Sequence, residues 1–196
     1  NKMLFNCIDN FYKPHDLGLM TVHCLNFHFN STHQSLTNYF GGDRLKGYPC
    51  YETPDLKSDD NLLNPYNIFK NTFENHLNTE LLHVKTFFRK TKLAELKASP
   101  CWGQYKPHRD HDADFAGVIY FNSNSFDDGT NFYCNEHDYE PTASIGARLN
   151  RCIFYDINTW HSPKMKQVVE ERWVQPFFAI TKKETLEKHM ELKNGT

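Results

Sequence analysis

Eight consecutive residues, Pro107-His108-Arg109-Asp110-His111-Asp112-Ala113-Asp114, hold the densest group of metal-ligand side chains in the chain, just ahead of the apolar run Ala116-Gly117-Val118-Ile119-Tyr120-Phe121-Asn122. In extended backbone, side chains two apart point to the same side. His108 and Asp110 therefore present an imidazole and a carboxylate to one ion while Arg109 faces away. A third ligand must come from elsewhere. The best placed is His161, in Phe154-Tyr155-Asp156-Ile157-Asn158-Thr159-Trp160-His161-Ser162-Pro163, 51 residues beyond Asp110, a separation that suits a return strand of one sheet. Two imidazoles and one carboxylate on one face, with the opposite positions open, suit a non-haem Fe(II) that activates O2. In a chain with 11 His an H-x-D tripeptide also arises by chance, and taken singly it reads more readily as a surface turn or an Asp hydrogen-bonded to its neighbour. The rival pair, His111 with Asp112 or Asp114, is weaker because His111 and Asp112 are adjacent and point to opposite sides of a strand. His137 reads as an exposed loop residue or a substrate contact, and His15, His23, His28 and His33 have no ligand spacing.

The elements that must position these residues follow from pattern. At 196 residues the chain is expected to be a single domain over 1–196. It divides into a helical support region over 1–80, a β core over 81–182 and a helix or tail over 183–196. Sixteen Phe, ten Tyr and three Trp supply buriable surface that a disordered chain lacks. The opening Met3 to Ile8 is short and apolar, as a strand would be. Pro14 to Asp16 can start a helix carrying Leu17, Met20, Val22, Cys24 and Leu25. A polar loop with Gly41, Gly42, Gly47, Pro49 and Pro54 follows. Pro65 fits the first turn of a helix with Ile68, Phe69, Phe73 and Leu77 at helical spacing. Beyond Leu81 the texture changes to short apolar or alternating segments divided by turns, the signature of an antiparallel sandwich or barrel. The expected strands are Leu81 to Arg89, Ala94 to Ala98, Ala116 to Asn122, Asn131 to Cys134, Cys152 to Asp156 and Trp173 to Ile180. Glu184 to Lys193 is expected as a closing helix.

Composition limits the partners. A net charge of −2 gives no basic field for phosphate, so no nucleic acid partner is expected, and no apolar run approaches the roughly 20 residues of a membrane span. The N-terminus lacks the pattern of a signal peptide, so the expectation is a soluble, cytoplasmic protein. The six cysteines contain no C-x-x-C pair, which argues against a zinc ribbon or a thioredoxin-type site and favours free buried thiols.

The residues around the ligands add a resemblance. Gly103-Gln104-Tyr105-Lys106-Pro107-His108-Arg109-Asp110, followed by Tyr120-Phe121-Asn122, resembles the prolyl 4-hydroxylase-like branch of the 2-oxoglutarate and Fe(II) dependent oxygenases. There G-Q-x-Y-x-x-H-x-D precedes a strand ending in Y-L-N; here one residue fewer separates Gln from His. Asp128-Gly129-Thr130-Asn131-Phe132 is similar to the family's G-G-x-T-x-F turn, with Asp128 where a Gly is common. Arg151 to Asp156 leads into His161 as the family's run into its distal His does, and Arg172 stands 11 residues beyond that His, where an Arg or Lys pairs with the distal carboxylate of 2-oxoglutarate. Ile8-Asp9-Asn10-Phe11-Tyr12 and Tyr39-Phe40-Gly41-Gly42-Asp43-Arg44 look like the opening of phage and bacterial members, without carrying a catalytic residue.

The resemblance implies a mainly β chain with added helices (α+β), a double-stranded β-helix or jelly-roll barrel supported by the N-terminal helices. It implies Fe(II) on His108, Asp110 and His161, and 2-oxoglutarate held by Arg172, whose planar fork suits a bidentate pair. The bland reading of Arg172 is a surface ion pair with Glu170 or Glu171. Tyr105 and Tyr120 are candidates to hydrogen-bond the same carboxylate or to serve as core tyrosines, and Asn122 to orient a ligand or close a turn. The implied reaction uses O2 and 2-oxoglutarate, with ascorbate as reductant, and hydroxylates a peptidyl proline, another protein side chain or a small molecule. Asp110 favours hydroxylation over halogenation, because halogenating relatives leave that position open. The alternatives are a cupin-like metal-binding module without turnover, against which Arg172 argues, and a hydrolytic zinc site, for which no general-base Glu stands beside the ligands.

Overall fold

The computed structural model describes residues 5–26, 50–58, 60, 63–99, 102–103, 105–166 and 169–194. Met3, Leu4, His28, His33, the 39–44 string, the loop glycines 41, 42 and 47 with Pro49, Cys101 and Gln104 lie outside the described residues. Strand β1 (Phe5–Ile8) and helix α1 (Pro14–Asn26) open the chain. Strand β2 (Tyr51–Glu52), a 3-10 turn at Leu56–Ser58 and helix α2 (Leu63–Leu77) follow. The β region comprises β3 (His83–Thr86), β4 (Arg89–Lys92), helix α3 (Leu93–Ala98), β5 (Phe115–Tyr120), β6 (Ser125–Tyr133), β7 (Ala143–Ala147), β8 (Cys152–Asp156), β9 (Trp160–Met165) and β10 (Glu171–Ile180), and helix α4 (Lys183–Asn194) closes it.

Two antiparallel sheets face each other. The larger runs β1-β8-β5-β10-β4-β2, with β3 also on β10, and the smaller runs β7-β6-β9. This is the double-stranded β-helix expected from sequence. The larger sheet is buried on both faces: Ile119, Cys152, Phe154, Trp173, Phe177 and Ala179 pack outward against Phe11, Met20, Phe69 and Phe73 of the helical region. Ala116, Tyr120, Ile153, Tyr155 and Val174 pack inward with Phe132 and Ala147 of the smaller sheet. Double burial explains why β8 and β10 read as continuous apolar runs. Pro176 lacks an N–H, and the partner of β10 changes there: β4 pairs with residues 171–174 and β3 with 177–180. Gly117 is required by closeness, since a Cβ would lie 2.4 Å from Phe177 Cζ and 2.5 Å from the Ile153 carbonyl oxygen.

Several expectations need correction. Residues 94–98 are not a strand: Leu93 and Leu96, three apart, share the helical face of α3 that packs on Met165. Leu81 to Arg89 is divided into β3 and the start of β4, and β6 begins at Ser125 rather than Asn131. Strands β7 and β9 had no apolar alternation to announce them, being built around Gly146 and Pro163; Pro163 is tolerated because β9 edges the smaller sheet. On α1 only Met20 and Cys24 are buried while Val22 and Leu25 face outward, so its apolar stripe is narrower than expected. Among the described cysteines, Cys24, Cys50 and Cys152 are buried and free, whereas Cys7 and Cys134 are exposed. No helix among the described residues is long and apolar enough to cross a membrane.

Asp114, in the ligand-rich segment, is a structural group. It accepts from the Thr181 and Lys182 amides at 2.8 and 2.9 Å and from the Thr185 hydroxyl at 2.7 Å, tying the turn before α4 and the helix's first turn to the start of β5. Burial opposes its charge, but these hydrogen bonds outweigh it and hold the carboxyl below its ordinary range. Its contribution is therefore present above the unfolded pKa near 3.8 and is lost as pH falls through the lower folded value. Asp114→Ala, which removes these hydrogen bonds, should cost about 1–2 kcal/mol at pH 7 by denaturant titration. A variant as stable as wild type at pH 7 would remove Asp114 as the tie between β5 and α4.

Candidate metal centre

The two imidazoles meet through backbone pairing. His161 lies on the inner face of β9, opposite Phe132 of β6. The chain at His108 joins β9 by a single antiparallel bridge: the His108 amide donates to the His161 carbonyl at 2.9 Å and the His161 amide to the His108 carbonyl at 3.0 Å. Directly paired residues put their side chains on one face, and the rings stand 4.4 Å apart. Residues 109–114 are not in a strand, contrary to the extended reading of this segment. They leave the ladder and fold Asp110 back, with Asp112 in the left-handed region at φ 62° before β5 begins.

The Asp110 Oδ2 lies 3.3 Å from His161 Nε2 and its Oδ1 3.9 Å from His108 Nε2. All three ligand atoms fall within 4.8 Å of one another. Each imidazole donates Nδ1–H to a backbone carbonyl, His108 to Lys106 at 3.2 Å and His161 to Thr159 at 3.0 Å, which leaves Nε2 as the lone-pair nitrogen turned toward Asp110. Burial, then the neighbouring His161, pushes the His108 pKa down to about 4, so this imidazole is neutral and ready to ligate at neutral pH. Burial raises the Asp110 pKa, but the neighbouring His161, then His108 and Arg89, outweigh it and keep it below the ordinary range. Two imidazoles with their Nε2 atoms turned to one point and a carboxylate beside them fit a divalent cation. His111 and Asp112 are exposed and outside this cluster, as is His137.

The triad opens into a cavity of about 200 Å³ between the sheets, lined also by Cys50, Arg89, Tyr120, Thr130, Tyr155 and Arg172. Tyr155 lies 4.3 Å from the His161 ring. Arg172, on the inner face of β10, is almost wholly buried, and its Nε donates to both oxygens of buried Asp128 at 2.8 and 3.0 Å. The pair is thus a buried one, made with Asp128, and not an exposed surface pair. The guanidinium stands 5.4 Å from the centre of the Tyr120 ring, whose hydroxyl is 3.0 Å from that of Thr130. Gly129 lets β6 reach this point: its φ is 145°, and a Cβ would sit 2.0 Å from the Ile145 carbonyl oxygen.

Tyr120 and Arg172 thus share the triad's cavity, and two other candidates do not. Tyr105 lines a neighbouring cavity with Tyr133 and Lys164 and packs on Leu96 and Met165. Asn122 is a strand connector, since its amide donates to the Glu171 carbonyl and accepts from the Trp173 amide at 2.9 Å. Arg151 is turned to the surface, where it pairs with Asp9. Sequence reasoning missed Arg89, Asp128, Thr130 and Cys50 as parts of the site. The Asp128-Gly129-Thr130 string had pointed to this turn without showing that its Asp faces the arginine.

No protein-family model and no curated protein matches the sequence. Solved structures do match in fold. A prolyl hydroxylase in complex with a hypoxia inducible factor oxygen degradation domain peptide fragment, from Trichoplax adhaerens, aligns over 98% of this chain and 88% of its own, with a TM-score of 0.65 and 16% identity. A Pseudomonas putida prolyl-4-hydroxylase aligns over 92% and 94%, with a TM-score of 0.56 and 9% identity. HygX from Streptomyces hygroscopicus, bound to nickel, 2-oxoglutarate and hygromycin B, aligns over 91% and 84%, with a TM-score of 0.56 and 8% identity. The fold of this chain is the one these oxygenases share.

Proposed function

We propose that this chain is a 2-oxoglutarate and Fe(II) dependent dioxygenase that hydroxylates a C–H bond of its substrate, with peptidyl proline first among the candidates because two of the fold neighbours are prolyl hydroxylases. The observation that carries the reading is the convergence of His108, Asp110 and His161 at one end of a cavity that also holds Arg172. His108 Nε2, His161 Nε2 and the Asp110 carboxylate would hold the metal. When bound, iron and 2-oxoglutarate supply an oxidant from O2, with decarboxylation of 2-oxoglutarate to succinate and CO2. The protein's part is placement. Arg172, fixed by Asp128, would receive the distal carboxylate, with the Tyr120 hydroxyl beside it. Ala116, Val118 and Phe178 give the same cavity an apolar wall that limits water around the reacting atoms. Ascorbate is the reductant expected to sustain turnover.

Succinate should form only when Fe(II), O2 and 2-oxoglutarate are all supplied. Slow formation is expected even without the true substrate, and none in Asp110→Ala. Iron-loaded wild type that binds 2-oxoglutarate yet releases no succinate above the Asp110→Ala background, across peptide and small-molecule candidates, would leave only a metal-binding barrel.

A further inference from the structure

The cavity contains a second guanidinium. Arg89 of β4 lies opposite Val174 of β10, and Arg172 lies two residues along, opposite Thr91, so both arginines stand on the inner face of the larger sheet as diagonal neighbours. Each holds one carboxylate. Arg172 is fixed by Asp128, four residues along β6 from the position opposite His161, and Arg89 by Glu52 of β2, through Nε at 2.8 Å and a terminal nitrogen at 2.7 Å. Their positions relative to the triad differ. Tyr155, 4.3 Å from the His161 ring, pairs with Ala116, and Ala116 with Phe178 of β10, so the triad lies toward residue 178 and Arg89, opposite Val174, stands nearer to it along the strand than Arg172 does. The Thr91 hydroxyl, opposite Arg172 and fully buried, has no hydrogen-bond partner, so this face carries more polar capacity than its internal pairs use.

Two cations along one cavity, one toward the metal ligands and one away from them, match an anion charged at both ends. We propose that Arg89 binds the metal-end carboxylate of a 2-oxo acid in this cavity, while Arg172 takes the distal one. The inference rests on the cosubstrate reading given above and adds a residue that neither the sequence motifs nor the triad select. Glu52 holds Arg89 through Nε and one terminal nitrogen.

Two probes separate the roles. Mn(II)-loaded protein would be titrated calorimetrically with 2-oxoglutarate and with 2-oxobutyrate, which keeps the metal-end carboxylate and lacks the distal one. Arg89→Gln should weaken both acids by a similar factor, roughly tenfold to a hundredfold, the range for a hydrogen bond to a charged group. The double variant Arg172→Gln/Asp128→Asn, which leaves no unpaired buried charge, should weaken 2-oxoglutarate alone. Glu52→Gln, which keeps an acceptor for the Arg89 guanidinium, should weaken both acids by a clearly smaller factor than Arg89→Gln does. Equal losses in Glu52→Gln and Arg89→Gln would make the ion pair a structural brace and overturn the proposal. It also fails if Arg89→Gln binds both acids as wild type does, or loses 2-oxoglutarate only. Wild-type protein that binds Mn(II) but neither acid would overturn the cosubstrate reading and this inference together.

Discussion

His161→Ala is expected to reduce metal binding by at least about a hundredfold, and His108→Ala and Asp110→Ala to do the same, with wild-type protein taking up one Fe(II), Mn(II) or Ni(II) per chain. The magnitude follows from ligand count: a structural zinc site with four ligands is worth about 10–16 kcal/mol, or roughly 3 kcal/mol per ligand. His161 is the most informative of the three. It is buried and pairs through its backbone with His108, and that pairing survives a side-chain truncation. The fold should therefore persist while the metal is lost. Metal analysis after gel filtration reads the outcome, and full occupancy of His161→Ala would mean that the distal ligand lies elsewhere.

The second large effect concerns the buried ion pair behind the cavity. Asp128→Ala leaves the Arg172 guanidinium desolvated and without its carboxylate, and breaking such a pair costs about 3–5 kcal/mol. For a chain of this size that corresponds to a fall in Tm on the order of 10 °C. Arg172→Ala should be equally damaging, because it strands Asp128, and it should weaken 2-oxoglutarate while the triad still holds metal. The double variant Arg172→Gln/Asp128→Asn should recover most of the stability and none of the 2-oxoglutarate affinity. Denaturant titration beside ligand titration separates the two losses. A loss of stability below about 1 kcal/mol in Asp128→Ala would mean that the pair is solvated in solution.

Much of this site was legible in the chain because its chemistry is local. His108 and Asp110 lie two apart, and the ladder supplies His161 at a separation that a returning strand explains. Arg172 and Tyr120 were reached only through a resemblance, yet they share the triad's cavity. What pairs with them was not legible: Asp128 faces Arg172 across two sheets, and no spacing rule links residues that meet only through barrel closure. Tyr105 and Asn122 went the other way, since motif position cannot tell a side chain turned to the cavity from one that packs behind it or ties a neighbouring strand. The fold class was legible from the change of texture at Leu81. Residues 94–98 were misread because a short amphipathic segment satisfies both periods, and β7 and β9 were missed because Gly146 and Pro163 interrupt the pattern.

The backbone bridge between His108 and His161 also gives the centre a part in chain topology. A cation held by both imidazoles acts as a reversible cross-link that closes one large loop from 108 to 161, and that loop contains β5, β6, β7, β8 and the first residue of β9. Closing such a loop restricts the unfolded ensemble, and the restriction grows only slowly with length, by about 0.6 kcal/mol per doubling. Metal uptake should thus slow global opening of the central strands, and removal by a chelator should raise hydrogen exchange across β5 to β8 together rather than at the ligands alone.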